Sequence, residues 1–293
     1  IPIREGGVTR EKRDQEGKVV VTKYNPKLLK DIADAANGTF VPADASDKAT
    51  RIRGALTSLR TARRAVDAIP DGVYEASCVL DNDGFTLDKP IPLAVKVSVK
   101  GSDMTLDFSG MSKQVTGPYN SRASETIARV SFKYLTTPDV AISEGAFRNL
   151  TVISPEGTVI NSHPNAPMAW FNMAVVSTID LVLRALAPVM PKRITAGNAD
   201  NIGFGHMAGV DPRNGRLFHT FVPYIGGLGA RPDSDGTSAV VSLVQGDVRF
   251  MPVEVQETVD PVRVKELSLR ADSGGAGKFR GGLGVVMERE VLG

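Results

Sequence analysis

The chain is poor in the residues that most often announce chemistry. It has a single cysteine, Cys78, so no internal disulfide can form and a reducing compartment suits it. Only three histidines are present, His163, His206 and His219, and none lies in a His-x-His or His-Glu-x-x-His spacing. That leaves no local metal motif, and Asp200 and Asp211 flank His206 at separations that no helix or strand would align on one ion. No Gly-x-Ser-x-Gly elbow offers a serine nucleophile, and Cys78 has no histidine nearby in sequence, so a buried structural thiol is expected there. Long apolar runs are also missing. The stretch from Ala174 to Leu183 is interrupted by Ser177, Thr178 and Asp180 and is too short for a bilayer. A net charge of +2 over 293 residues gives no general pull toward nucleic acid or an anionic membrane. The opening Ile1-Pro2-Ile3 has neither an initiator methionine nor the basic head and apolar core of a secretion signal. The expected compartment is the cytoplasm, and the expected chain is a piece of something longer.

What is abundant is glycine, 29 residues, with 18 prolines, and charge is unevenly divided. Through Val66 there are 14 basic and 8 acidic residues; after it there are 21 and 25. This change of sign suggests a seam between residues 1–66 and 67–293. The first segment reads as a small α/β unit of hairpin, helix, strand and helix. Asn25 and Pro26 open a helix carrying Leu28, Leu29, Ile32, Ala35 and Ala36, and Asn37-Gly38 stops it. A second helix is expected to turn Ile52, Ala55, Leu56 and Leu59 inward and Arg51, Arg53, Arg60, Arg63 and Arg64 outward.

The second segment reads as a mixed α+β body rich in antiparallel sheet, incomplete at its start. Val73 to Leu80, Ile91 to Lys100 and Met104 to Ser109 alternate apolar and polar residues between Gly- and Asp-containing turns, as a meander with one wet face does. Helices are expected from Ser124 to Tyr134 and from Met173 to Leu186, where Pro188 ends the second. Further strands are expected at Asn149 to Ile153, Arg216 to Val222, Thr237 to Val244 and Val262 to Leu269.

Two glycine-dense loops stand out. The run Asp272 to Gly284 is no phosphate loop, because Gly277-Lys278 is followed by Phe279 where a Ser or Thr would have to hold magnesium. Asp272 and Ser273 with the glycines make either a structural turn between strands or, with Lys278 and Arg280 beside it, a backbone cradle for an anion. The loop Pro223 to Gly236, with Gly226, Gly227 and Gly236 for close backbone approach and Arg231 and Asp235 for charge, suits a cleft wall or a subunit contact equally.

Taken alone, these residues do not specify a reaction. The ordered series Gly117-Pro118-Tyr119-Asn120, Thr137-Pro138-Asp139-Val140, Pro155 to Asn161, Asp211-Pro212-Arg213-Asn214-Gly215-Arg216, Gly226 to Gly236, Pro252 to Glu257 and Asp272 to Gly284 resembles the C-terminal half of hydantoinase B/oxoprolinase subunits. The resemblance implies ATP-dependent ring opening of 5-oxoproline or hydantoins, performed with a hydantoinase A-type partner in a hetero-oligomer. ATP would sit in the partner and a divalent metal in the N-terminal half, with none bound by this chain. The implied substrate or interface residues are Asn120, Gly226, Gly227, Arg231, Asp235, Gly236, Asp272, Ser273, Lys278 and Arg280. Related acetone and acetophenone carboxylases give one alternative. A non-enzymatic protein docking through its basic N-terminal segment gives another. Residues 1–66 resemble the tail of a bacterial von Willebrand A-type domain, standing where the rest of the subunit is expected. The combined reading is a truncated or chimeric subunit, inactive alone.

Overall fold

A computed structural model describes residues 2–5, 8–11, 48–199, 203–244, 248 and 250–292. The helix and strand expected between Asn25 and Val41 lie outside these residues, as does Asp200. The chain divides into two units, 1–56 and 57–293. In the first, β1 (Pro2–Glu5) pairs antiparallel with β2 (Val8–Glu11). The first long helix, α1 (Lys48–Asp67), runs up to the charge seam.

The inward face of α1 differs from the one expected. Ile52 and Leu56 are half exposed, whereas Ser58, Ala62 and Val66 are buried at successive four-residue steps, followed by Ile69. Hydrophobicity alone favours Leu and Ile on the inward face. The positions that meet the core instead carry Ser, Ala and Val, small enough to bring the helix close. Ala62 and Val66 therefore belong to the same core as the body that follows.

That body is organised around a four-stranded sheet of order β3 (Gly72–Leu80), β4 (Ile91–Lys100), β5 (Asp103–Asp107) and β6 (Leu150–Ile153). The first three strands are an antiparallel meander; β6 joins β5 in parallel. Ile91, Leu93, Val95, Val97 and Val99 of β4 are all buried, and Pro92 and Lys96 between them are exposed. Each such side chain contributes roughly 1.5–3 kcal/mol on burial, so this single strand anchors the core. Cys78 on β3 packs against that core but is half-buried, less enclosed than the buried thiol expected.

Helices α2 (Ser124–Thr136) and α3 (Asn172–Leu186) pack on one another, and α3 lies across β3 and β4. Most of α3 is buried on every side, including Thr178 and Asp180, which marks it as the central helix of the body. Its Val176 also meets Ile225 and Val241 in a second small apolar cluster. Beyond α3 come the ribbon β7 (Gly203–Val210) and β8 (Leu217–Tyr224), the short helix α4 (Val253–Val259), and the antiparallel pair β9 (Val262–Leu269) and β10 (Val285–Val291).

Among the described residues, one expected strand does not form. Thr237 to Val244 is rich in apolar and β-branched residues but is irregular, with Ala239 at φ 57°. Its backbone is engaged by loops rather than by a strand: Leu228 N donates to Thr237 O, Ala239 N to Leu283 O, and Val240 N to Gly226 O. Among the described residues, no helix is long and apolar enough to cross a membrane.

Candidate functional site

The two glycine-dense loops, nearly fifty residues apart in sequence, meet. Gly236 N donates to Arg280 O and Gly282 N to Leu228 O, so the loops are laced together through their backbones. Asp235 adds a side-chain tie. Its Oδ1 accepts from Arg280 N at 2.8 Å and its Oδ2 lies 3.6 Å from the Arg280 guanidinium. Ser273 closes the far loop on itself, with Oγ donating to Arg270 O and accepting from Gly284 N.

Close approach is what requires glycine here. A Cβ on Gly229 would stand 1.9 Å from Ala196 O, and one on Gly227 would stand 2.1 Å from Gly282 O. Both contacts are with backbone, which cannot swing aside. Gly275 is different: nothing lies within 4 Å of where its Cβ would be. It borders a groove of about 530 Å³ with Gly226, Gly227, Ser273, Asn198 and Phe279 also on its walls. The groove's glycines expose main-chain donors and acceptors at fixed positions, and Ile225, Leu228, Phe279 and Val285 add apolar surface beside them.

A relay from α3 holds this wall. Asp180 Oδ1 accepts from Asn198 Nδ2 at 2.9 Å, and Asn198 Oδ1 accepts from Gly229 N at 2.9 Å. Burial pushes the Asp180 carboxyl above the usual carboxylate range, and the Asn198 hydrogen bond and the Arg184 charge oppose that shift. No sequence pattern marks either Asp180 or Asn198. Their connection exists only once α3 and the loop after it are folded.

The expected site residues therefore separate into three sets. Gly226, Gly227, Asp235, Gly236, Ser273 and Arg280 are brought together. Arg231, Asp272 and Lys278 are exposed on the same two loops. The Arg231 backbone turns to Ser234 O, and the Lys278 ammonium lies 5.2 Å over the Phe279 ring. Arg280 pairs with Asp235 across the two loops. Asn120 lies apart from the loops. It is fully buried, accepts from Val115 N and donates to Val115 O, Gly117 O and Pro167 O. It is a loop anchor, with no group left to face a ligand.

The segment Asp211 to Arg216 is likewise a bracket. It forms the β7–β8 turn, where buried Asp211 accepts from Arg213 and from Asn214 Nδ2. Arg213 also donates to Glu257 O and Val259 O at the end of α4, capping carbonyls that the helix leaves open. Hydrogen bonds from the Arg213 guanidinium hold the Asp211 carboxyl below its usual range. With its folded pKa depressed, Asp211 contributes stability that is present above the unfolded value of about 3.9 and lost as pH falls below it. Denaturation between pH 5 and pH 3 should cost the wild type more stability than Asp211→Asn. Equal losses would contradict the assignment.

Sequence spacing leaves the histidines scattered, and the ribbon gathers two of them. His206 Nδ1 lies 3.2 Å from His219 Nε2. The pair sits beside Phe221 and Trp170, and Trp170 stacks on Phe204. His163 is elsewhere, with Glu156 at 3.3 Å. The signal that would have found the pair is the register: the Asp211–Gly215 turn puts 206 opposite 221 and 208 opposite 219, on one face.

The sequence profile of hydantoinase B/oxoprolinase matches residues 55–293. Over 257 residues the chain is 31% identical to the caprolactamase subunit beta of Pseudomonas jessenii, covering 83% of this chain and 43% of that one. A 5-oxoprolinase of Dictyostelium discoideum is 29% identical over 77% of this chain and 17% of its own, so relatives are not confined to bacteria. The crystal structure of ATP-dependent caprolactamase from Pseudomonas jessenii superposes with a TM-score of 0.75 at 26% identity, over 90% of this chain and 46% of that chain. The nucleotide-free structure of acetone carboxylase superposes at 0.73 with 21% identity, over 91% and 37%, and so shares the fold. The chain spans less than half the length of these relatives. The von Willebrand A-like reading of residues 1–66 gains no support from the matches.

Proposed function

The chain belongs to the hydantoinase B/oxoprolinase family, and we propose that it is the C-terminal part of a subunit that opens cyclic amides at the expense of ATP, together with a hydantoinase A-type partner. The observation that carries this is the joint match in sequence and structure to a caprolactamase beta subunit, an amide-ring hydrolase named as one member of a multisubunit enzyme. The acetone carboxylase likeness supports the fold alone and does not displace the amide reading.

Within that function the chain supplies a scaffold and a wall. The groove between the loops suits a small polar ring, because an amide needs one donor and one acceptor and a main-chain wall presents both. Neither of the groups implied for the whole enzyme fits here. Among the described residues no group of three or more His, Cys, Asp or Glu could hold a metal. The glycine run that meets Phe279 lacks the hydroxyl that a phosphate loop places on magnesium. No step through ATP or metal is therefore assigned to this chain, and it is expected to be inactive alone.

Complementation tests the reading. The chain alone should show no ATP-dependent opening of 5-oxoproline or caprolactam. Adding a hydantoinase A-type subunit and the N-terminal half of a B-type subunit, as separate polypeptides, should restore ring opening. Turnover by the chain alone would refute its dependence on partners. No restoration, beside an active full-length control, would refute the functional assignment.

A further inference from the structure

We propose that His206 and His219 form a two-nitrogen chelate for a late first-row divalent cation such as Zn²⁺ or Cu²⁺. The site is separate from the glycine-lined groove and from the metal that the family resemblance implies for the N-terminal half. Its geometry comes first. Two imidazole nitrogens 3.2 Å apart, each bonded to one ion at about 2.0–2.1 Å, subtend an angle of about 100–106° at the metal, close to tetrahedral.

The support behind the two rings is fixed. Both residues lie on one face of the β7–β8 ribbon, diagonally across the strands, since His206 is opposite Phe221 and Ala208 is opposite His219. The other face buries Thr220 and Val222, which sets the backbone beneath the ligands. The Phe221 ring lies 4.8 Å from the His206 ring at 67°, and Trp170 meets it edge-on at 6.2 Å. Those contacts limit the ring orientations available to His206. Both histidines are exposed, so an ion reaches them without opening the fold.

Imidazole selects the class of ion. Neutral ring nitrogens suit Cu²⁺, Ni²⁺ and Zn²⁺ and do not suit Mg²⁺ or Ca²⁺, which take oxygen. At 3.2 Å the two nitrogens are within hydrogen-bond distance, a bond that requires one of them to carry a proton. An arriving ion takes both lone pairs, and the displaced proton moves to the far nitrogen of its own ring. No third ligand completes the group among the described residues. The remaining positions are therefore open to water or to a donor from another chain.

The full chain should be titrated with ZnCl₂ by calorimetry, and with CuSO₄ by electron paramagnetic resonance, in a non-coordinating buffer. One ion per chain is expected, with a Cu²⁺ spectrum showing two coordinated nitrogens. His206→Gln and His219→Gln should each weaken binding by more than the roughly 10–100-fold lost when only an outer-shell partner is removed. His163→Gln should leave it unchanged. Binding that survives both single substitutions, or a Cu²⁺ spectrum with a single imidazole, would overturn the proposal. The nitrogen count in the wild-type spectrum decides the matter even if a variant fails to fold.

Discussion

Replacing Gly229 with Ala is expected to destabilise the C-terminal unit by about 3 kcal/mol, the upper part of the range for overpacking a tight site. The new methyl would lie 1.9 Å from Ala196 O, 2.3 Å from Ala196 C and 2.8 Å from Gly197 O. To admit it, the loop must lift from its neighbour. That movement breaks the Gly229 N–Asn198 Oδ1 bond and the Ala196 N–Ala230 O bond together. For a unit of this size each kcal/mol shifts the melting temperature by roughly 2–4 °C, so calorimetry should record a fall of roughly 6–12 °C. Gly275→Ala is the matched control on the facing loop. Its Cβ meets nothing within 4 Å, and its effect should stay within about 0.5 kcal/mol. Similar melting temperatures for the two variants would contradict the packing described for the groove wall.

Asn120→Ala should be of similar size, about 3 kcal/mol, and should act on folding rather than on ligand affinity. Its amide oxygen accepts from Val115 N at 2.7 Å, and its nitrogen donates to Val115 O, Gly117 O and Pro167 O. Truncation leaves a buried amide N–H without a partner, at a cost of about 1–3 kcal/mol, and abandons three carbonyls as well. Asn120→Asp should not rescue it, because a carboxylate accepts from Val115 N but cannot donate to those carbonyls. A residue facing substrate would behave otherwise: weaker binding with an unchanged melting temperature. Finding that pattern would return Asn120 to the site.

These two residues also show how far the sequence can be read. The meander is legible because β4 alternates without a break from Ile91 to Val99 and is bounded by turns. The apolar-rich stretch from Thr237 to Val244 also reads as a strand, and there the reading misleads. Periodicity reports which side chains are apolar; it does not report what the backbone pairs with. In that stretch the partners are glycine loops. Glycine density finds the two loops that meet, but does not reveal that they meet one another, since Gly236 N–Arg280 O links segments more than forty residues apart. Asn120 and Asp211 lie in segments that mark the family, and both prove to be brackets that hold loops in place. A marker residue and a reacting residue look alike when only order along the chain is visible. The Asp180–Asn198 relay has no local signature, because one end is in a helix and the other in a loop.

The parallel strand β6 has a kinetic consequence. Strands β3, β4 and β5 follow one another directly along the chain, β3 and β4 across residues 81–90 and β4 and β5 across residues 101–102, so their ladder can form from nearby contacts. β6 joins β5 only after the chain from Phe108 to Asn149, including α2, has been arranged to bring it back alongside. Closing that long crossover requires ordering many residues before any pairing stabilises them. Refolding followed by pulsed hydrogen exchange should show amides of β3–β5 protected first and those of Leu150–Ile153 later. The edge that closes last is the one through which partly folded chains would associate, since β5 then presents an unpaired row of backbone groups.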